Sequence, residues 1–150
     1  RSIPLVVDSR FRLSEFKGAT SATPNRDEAE QILGAGFVAE DCMKLRDRLG
    51  LQALLVTNGN EGMQLFEADA APLKIDAVGS PVAVDVTGAG DTVIAAYTLG
   101  LASGLSFAEA ARVANHAGGI VVMKKRTATV TGGELLASIG ANTDSARKNS

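Results

Sequence analysis

One eight-residue stretch combines the features that phosphoryl transfer requires: Asp85-Val86-Thr87-Gly88-Ala89-Gly90-Asp91-Thr92. Its two glycines allow a ligand to approach the backbone closely. The apolar run 93–102 predicts a helix, whose free N–H groups would form an anion site at residues 88–90. Asp91, at this helix start, could accept a proton from an attacking hydroxyl group, and Asp85 could hold a cation. Spacing alone equally allows Asp91 to be an acid that interacts with the helix dipole.

The composition limits the classes of function. The 150 residues are 45% hydrophobic and 21% charged, which is typical of one globular domain. A net charge of -2 provides no cationic field for nucleic acid or anionic lipid, and no apolar run reaches membrane-spanning length. Cys42 is the only cysteine, so no internal disulfide can form. We therefore expect a cytoplasmic protein with neither nucleic-acid nor membrane partners.

Strands that alternate with helices predict an α/β fold, with a layered, mostly parallel sheet flanked by helices. The predicted strands are residues 5–8, 19–23, 53–57, 63–66 and 73–75, and the predicted helices are 26–33, 38–49, 93–102, 107–123 and 134–139. Ligands of such sheets bind beyond the carboxyl ends of the strands, where Asp8, Asn25, Asn58 and Gly59 fall. Residues 1–140 are predicted to form the domain, and the polar residues 141–150, which lack periodicity, a frayed tail.

Three motifs, in order, resemble those of the ribokinase-like carbohydrate kinases, the PfkB family. They are the stretch 85–91, Thr23-Pro24-Asn25-Arg26-Asp27-Glu28-Ala29-Glu30, and Val56-Thr57-Asn58-Gly59-Asn60-Glu61-Gly62. The resemblance covers roughly residues 3–140 and is to the C-terminal, nucleotide-binding half of these kinases. In the family, the sugar site and a small β lid, through which relatives dimerise, lie mostly in the other half. The resemblance thus implies a possible homodimer of the intact protein.

The resemblance implies ATP-dependent transfer of a phosphoryl group to a sugar hydroxyl. Asp91 would be the general base. The backbone N–H groups of Gly88, Ala89 and Gly90 would stabilise the charge of the transferred group. The stretch is not a Walker A loop, since no Gly-Lys-Ser/Thr sequence follows it.

The other two motifs would hold the nucleotide and its magnesium. Asn25 and Glu28 would organise Mg²⁺ and its waters, with helix capping as the alternative role for both. Thr57 and Gly59 would lie against the nucleotide phosphates. Arg10 follows Asp8 where relatives often carry a basic residue near phosphate, and a surface arginine is the alternative.

Two further groups of residues match family positions. Asp85 and Thr87 resemble positions that bind a monovalent cation such as K⁺ in many relatives. Here Arg126 stands where relatives commonly have glycine. Because a glycine at positive φ cannot be replaced without cost, this departure counts against activation by the cation. Asn115 and Gly119 match a helix that lines the adenine pocket, with close helix–sheet packing as the alternative. His116 and Cys42 are predicted to be structural residues.

These implications lead to three functional hypotheses. The first is an ATP-dependent sugar kinase, since residues 85–94 and 114–122 are most similar to kinase domains that act on heptose 7-phosphate. The second is a kinase for another sugar or nucleoside. The third is a nucleotide-binding module that is inactive without the other half of the kinase.

Overall fold

The computed structural model describes residues 3–9, 12–79, 88–124 and 128–148. Its strands are β1 (Val6–Val7), β2 (Ser21–Ala22), β3 (Ala53–Thr57), β4 (Met63–Glu67) and β5 (Leu73–Ile75). Its helices are α1 (Arg26–Leu33), α2 (Ala39–Leu49), α3 (Ala89–Ser103), α4 (Phe107–Val122) and α5 (Gly132–Lys148). No helix in these ranges is both long and apolar enough to span a membrane.

The five strands form one sheet in the order β1-β2-β3-β4-β5. Strands β1, β2 and β3 are parallel to one another, whereas β4 is antiparallel to both β3 and β5. Four of these five strands therefore run in the same direction, which confirms the predicted mostly parallel sheet. The backbone of β2 continues this pattern past its end, because Thr23 N–H donates to Val7 O at 3.0 Å.

Strand β3 is buried on both faces, which explains its uninterrupted apolar sequence. Leu54 and Val56 belong to a core shared with α1 and α2, on one face of the sheet. Ala53 and Leu55 belong to a second core shared with α3 and α4, on the other face. The chain is thus a three-layer α/β/α structure, and the predicted fold class is confirmed.

Helix α3 begins earlier than the apolar run predicted. It starts at Ala89 rather than at residue 93, because Gly88 takes a left-handed conformation (φ 77°) and serves as the N-cap. The Thr92 N–H donates to Gly88 O at 3.0 Å and closes the first turn. Asp91 is therefore the third residue of the helix and does not precede it.

Helix α5 is longer than predicted at both ends. It begins at Gly132 after Thr131, and it continues to Lys148. The prediction of a frayed tail from residue 141 was wrong for residues 141–148. That segment lacks an apolar stripe, but no proline or glycine follows Gly140, so a helix already under way can continue.

Helices α3 and α4 pack in opposite directions. A Cβ atom placed on Gly118 would lie 2.9 Å from Val93 Cγ2, and one on Gly100 would lie 3.1 Å from Ala110 Cβ. The N-terminal part of α3 therefore faces the C-terminal part of α4. The latter lies at the carboxyl end of β5, where Gly119 contacts Val78. Since β1, β2, β3 and β5 share this edge of the sheet, α3 begins at the edge where ligands are expected.

Candidate active site

The start of α3 lies at the carboxyl edge of the sheet, with backbone donors that have no partner among the described residues. Gly88 makes no side-chain capping hydrogen bond, and the first-turn N–H groups have no partner inside the helix. A Cβ atom on Gly90 would meet no described residue within 4 Å, so none of the described residues fills the space beside this turn. Asp91 is exposed beside it. The arrangement can hold an anion at the helix start with a carboxylate next to it.

The motif around Asn25 forms the predicted helix cap. Asn25 Oδ1 accepts from Glu28 N–H at 2.9 Å, and Glu28 Oε2 accepts from Asn25 N–H at 3.0 Å. This reciprocal capping box begins α1 and holds Glu28, which is 7% exposed, in the first turn. The capping alternative is therefore confirmed, and a role in magnesium binding stays a prediction.

The second and third motifs lie side by side. Asn25 pairs with Thr57 in a parallel β-bridge, and Thr57 N–H donates to Pro24 O at 3.0 Å. Gly59 begins a short 3-10 turn just beyond, and a Cβ atom on it would meet nothing within 4 Å. Among the described residues nothing therefore covers Gly59 on this side, and its role in phosphate binding stays a prediction.

The donor set fits a magnesium ion that keeps most of its water. Glu28 and Asn25 bring one carboxylate and one amide oxygen to the same point of the sheet edge. Mg²⁺ commonly binds through one or two carboxylates together with substrate phosphates. The described ranges contain no cluster of three or more His, Cys, Asp or Glu residues that could form an all-protein metal site.

Helix α4 packs tightly on the loop after β5. Asn115 Nδ2 donates to Asp76 O at 2.8 Å, and a Cβ atom on Gly119 would lie 2.3 Å from Val78 O. These contacts explain the amide at 115 and the absence of a side chain at 119 as helix–sheet packing. The contribution of both residues to an adenine pocket stays a prediction.

A cavity of about 710 Å³ opens beside Asp91. Its walls come from α3, α4, the segment 128–132 and the start of α5, and they include Gly88, Asp91, Leu99, Ala117, Thr129 and Leu135. The size suits a small organic ligand, and its mostly apolar walls end at the start of α3.

An ammonium group holds one wall of this cavity in place. Lys124 Nζ, at the end of α4, lies 2.7 Å from Thr129 O and 2.7 Å from Glu134 Oε1. Glu134 Oε2 in turn accepts from the N–H and the hydroxyl group of Thr131, each at 2.9 Å. The segment 128–132 is thereby fastened to both α4 and α5.

The two residues predicted to be structural are buried. His116 is 6% exposed, and its Nδ1 lies 2.8 Å from Ser138 Oγ on α5. Burial lowers the pKa of His116. Cys42 is 1% exposed, and burial, with a smaller contribution from Asp41, raises the pKa of its thiol to about 11. Neither group lines the cavity.

Four residues that the sequence analysis singled out fall outside the described ranges. They are Arg10, Asp85, Thr87 and Arg126. The phosphate-binding role of Arg10 and the monovalent-cation roles of Asp85 and Thr87 stay predictions.

Comparison with known proteins identifies the family. The family model of the pfkB family carbohydrate kinases matches residues 10–131. The chain belongs to the pfkB family of carbohydrate kinases. The resemblance inferred from the three motifs is thus confirmed. The start of α3, with Asp91, lies within the matched residues.

Relatives agree with this assignment, and solved structures share the fold. The bifunctional protein HldE of Geotalea uraniireducens is 46% identical over 153 residues, which is 97% of this chain and 31% of that protein. The Arabidopsis thaliana ribokinase complexed with ribose and ATP superposes with a TM-score of 0.80 at 24% identity, over 91% of this chain and 47% of that one. Phosphofructokinase-2 from Escherichia coli in complex with potassium gives 0.72 at 19% identity, over 85% and 42%. These structures share the fold, and this pfkB-family chain spans about a third of the curated relative.

Sequence reasoning missed three sets of polar contacts in the pfkB-family chain. Lys124 carried no recognisable signal, because its partners are a backbone carbonyl and a side chain ten residues later. Thr131 and Glu134 did carry one, since a threonine followed three residues later by glutamate is a capping-box pattern. Tyr97 and Ser21 were also missed, because their contact joins residues 76 positions apart.

Proposed function

We propose that this chain is the nucleotide-binding part of an ATP-dependent sugar kinase. The proposal is carried by the open start of α3, with Asp91, at the same sheet edge as the Asn25–Thr57 bridge, in a member of a carbohydrate kinase family. One side of this edge supplies anion-binding N–H groups and a carboxylate. The other side supplies the amide and the acid suited to magnesium.

In the proposed reaction, the sugar hydroxyl attacks the γ-phosphorus of ATP while the bond to the β-phosphate oxygen breaks. Asp91 orients the attacking hydroxyl and accepts its proton. The backbone N–H groups of residues 88–90 would face the oxygens of the transferred group, where negative charge is concentrated. The helix dipole adds to this stabilisation at the start of α3.

Asn25 and Glu28 would hold magnesium through its waters, and the metal would neutralise charge on the nucleotide phosphates. Thr57 and Gly59 would contact those phosphates from the end of β3. A monovalent cation beside Asp85 and Thr87 is part of the proposal. Turnover in potassium chloride, compared with choline chloride at equal ionic strength, tests this part by itself.

The proposed acceptor is heptose 7-phosphate. The support is the likeness of residues 85–94 and 114–122 to kinase domains of that specificity, together with the 46% identity to HldE. Kinase assays of the full-length protein with a panel of sugars, sugar phosphates and nucleosides test this assignment. ATP dependence would place the reaction in the cytoplasm, and light scattering of the same sample tests the proposed homodimer.

Asp91→Asn in the full-length protein tests the role of the base. We expect kcat to fall by about 10²–10⁴-fold, because the proton acceptor is lost. ATP binding, measured by calorimetry, should be retained. Asp41→Asn is the matched control, since Asp41 is the third residue of α2 just as Asp91 is of α3. Equal turnover in both variants would show that Asp91 acts only on the helix dipole.

A second candidate function is nucleotide binding without transfer. It is favoured by the length of the chain, which spans 31% of the HldE relative, since positioning of the acceptor supplies much of the rate. Calorimetry with ATP and magnesium, and a coupled kinase assay, would be performed on the 150 residues and on the full-length protein. Binding by both with turnover only in the longer protein is the expected result.

A further inference from the structure

A buried chain of two hydrogen bonds joins α3 to the centre of the sheet. Ser21 Oγ lies 2.8 Å from Ala53 O and 3.1 Å from the Tyr97 hydroxyl oxygen. A carbonyl oxygen can only accept, so Ser21 donates its single proton to Ala53. Tyr97 must then donate to Ser21. The direction of both bonds is fixed, and they connect α3 with β2 and β3.

Tyr97 differs in this respect from the other hydroxyl-bearing side chains of α3. Within the described ranges, Thr92, Thr98 and Ser103 each donate to a carbonyl four residues earlier in the same helix. These local bonds cannot fix where the helix lies on the sheet. Among the described residues, Tyr97 is the α3 side chain whose hydrogen bond reaches another element.

The remaining packing of α3 is mainly against α4, where Gly118 lies close to Val93 and Gly100 lies close to Ala110, so it fixes α3 against a helix and not against β2. Its contact with α4 at Gly100 and Ala110 involves small apolar groups, and apolar burial is not directional. A buried hydrogen bond, in contrast, is satisfied only in a narrow range of distance and angle. Tyr97 and Ser21 are both 0% exposed, so water cannot replace the missing partner if α3 shifts.

This contact links the two elements that lead to the halves of the proposed site, since α3 carries Asp91 and β2 leads to Asn25. Tyr97 follows Asp91 by six residues, or about 9 Å along the helix. Ser21 precedes Asn25 by four residues on the extended chain that leads to the capping box of α1. We propose that the Tyr97–Ser21 hydrogen bond sets the position of the α3 start, with Asp91, relative to Asn25 and Glu28, an inference that rests on the proposed function. Tyr97 and Ser21 are positioning residues, and neither touches the reacting groups.

The chemistry of the pair suits this role. Burial, more than any other influence, raises the pKa of Tyr97 to about 12, so its hydroxyl stays protonated and can donate at every pH at which the protein is assayed. Positioning matters at such a site, because a displacement of about 1 Å between reacting groups can cost about 10²-fold in rate. A small shift of α3 would therefore reach catalysis without removing any catalytic group.

The test compares Tyr97→Phe with Thr98→Val in the full-length protein. Each variant removes one hydroxyl from α3, but only the first removes the bond to the sheet. For Tyr97→Phe we expect kcat to fall about tenfold, a modest misalignment, with the KM for ATP within about twofold of the wild type. Hydrogen exchange of the amides of residues 92–95 should be faster in Tyr97→Phe only.

The inference is overturned if Tyr97→Phe lowers the free energy of unfolding while its kcat and α3 exchange match those of Thr98→Val. Should Tyr97→Phe fail to fold, Ser21→Ala keeps the aromatic ring, removes the same contact and takes its place. If the wild-type protein phosphorylates nothing, the proposed function fails, and the exchange rates alone decide whether this hydrogen bond fixes α3.

Discussion

Lys124 and Glu134 form an ion pair of 2.7 Å that joins the end of α4 to the first turn of α5. The same ammonium group binds Thr129 O, and the same carboxylate caps α5 through Thr131. The pair therefore closes a loop whose residues 128–132 form a wall of the cavity beside Asp91.

This pair predicts a loss of stability in acid. The hydrogen bond from Lys124, followed by those from Thr131, lowers the pKa of Glu134 from 4.5 to about 2. Because the folded-state pKa lies below the unfolded value, the stabilisation is complete above 4.5 and is lost as the pH falls towards 2. Glu134→Gln keeps the capping hydrogen bonds but not the charge. Urea unfolding should show the wild type to be more stable at pH 7, with the difference vanishing near pH 2. A difference that does not depend on pH would contradict this account.

Gly119→Ala should destabilise the protein. The new Cβ would lie 2.3 Å from Val78 O, a backbone atom that cannot move aside cheaply, so α4 or the loop must shift. Overpacking of this kind costs about 1–3 kcal/mol. The matched control is Gly140→Ala in α5, where nothing lies within 4 Å and the helix gains about 0.5–1 kcal/mol. Thermal and urea unfolding of both variants measure the contrast, and equal stability of the two would exclude close packing at Gly119.

His116 predicts a second, milder dependence on pH. Burial lowers its pKa from 6.5, so the folded state keeps the ring neutral where the unfolded chain takes up a proton. Stability should therefore decrease as the pH falls below about 6.5, a range in which most carboxylates do not yet titrate. Urea unfolding at pH 7.5 and 5.5 measures this loss. His116→Gln, which has no group that titrates there, should reduce it, and an unchanged loss would assign the effect to other groups.

Leu54→Ala should be among the most damaging core substitutions. Leu54 is 0% exposed on β3, where it packs in the core beneath α1 and α2. Truncation of such a leucine costs about 2–5 kcal/mol. Leu136→Ala removes the same atoms from a side chain that is 73% exposed, and we expect an effect within about 0.5 kcal/mol. Denaturant midpoints with a common slope give both values, and similar losses would mean that α5 is buried in solution.

The local sequence predicted the elements whose signals are themselves local. The bounds of β3 and the end of α2 at Gly50 followed from an apolar run and a helix-ending glycine. The start of α3 could not be read from hydrophobicity, because Ala89, Gly90 and Asp91 enter the helix only through the conformation of Gly88. The cavity wall and the Tyr97–Ser21 contact were beyond prediction for another reason. They depend on tertiary packing between residues far apart in the chain, for which spacing carries no signal.

Because Cys42 is buried, its reactivity can be used to measure local opening of α2. Its thiol is the only one in the sequence, is 1% exposed, and has a pKa of about 11, so a thiol reagent in bulk solvent meets almost no reactive thiolate while the fold is closed. At a reagent concentration at which reclosing is faster than modification, the rate of modification would therefore measure the population in which α2 has opened from the sheet. Compared with the rate for the unfolded chain, it yields the local free energy of that opening without any engineered label.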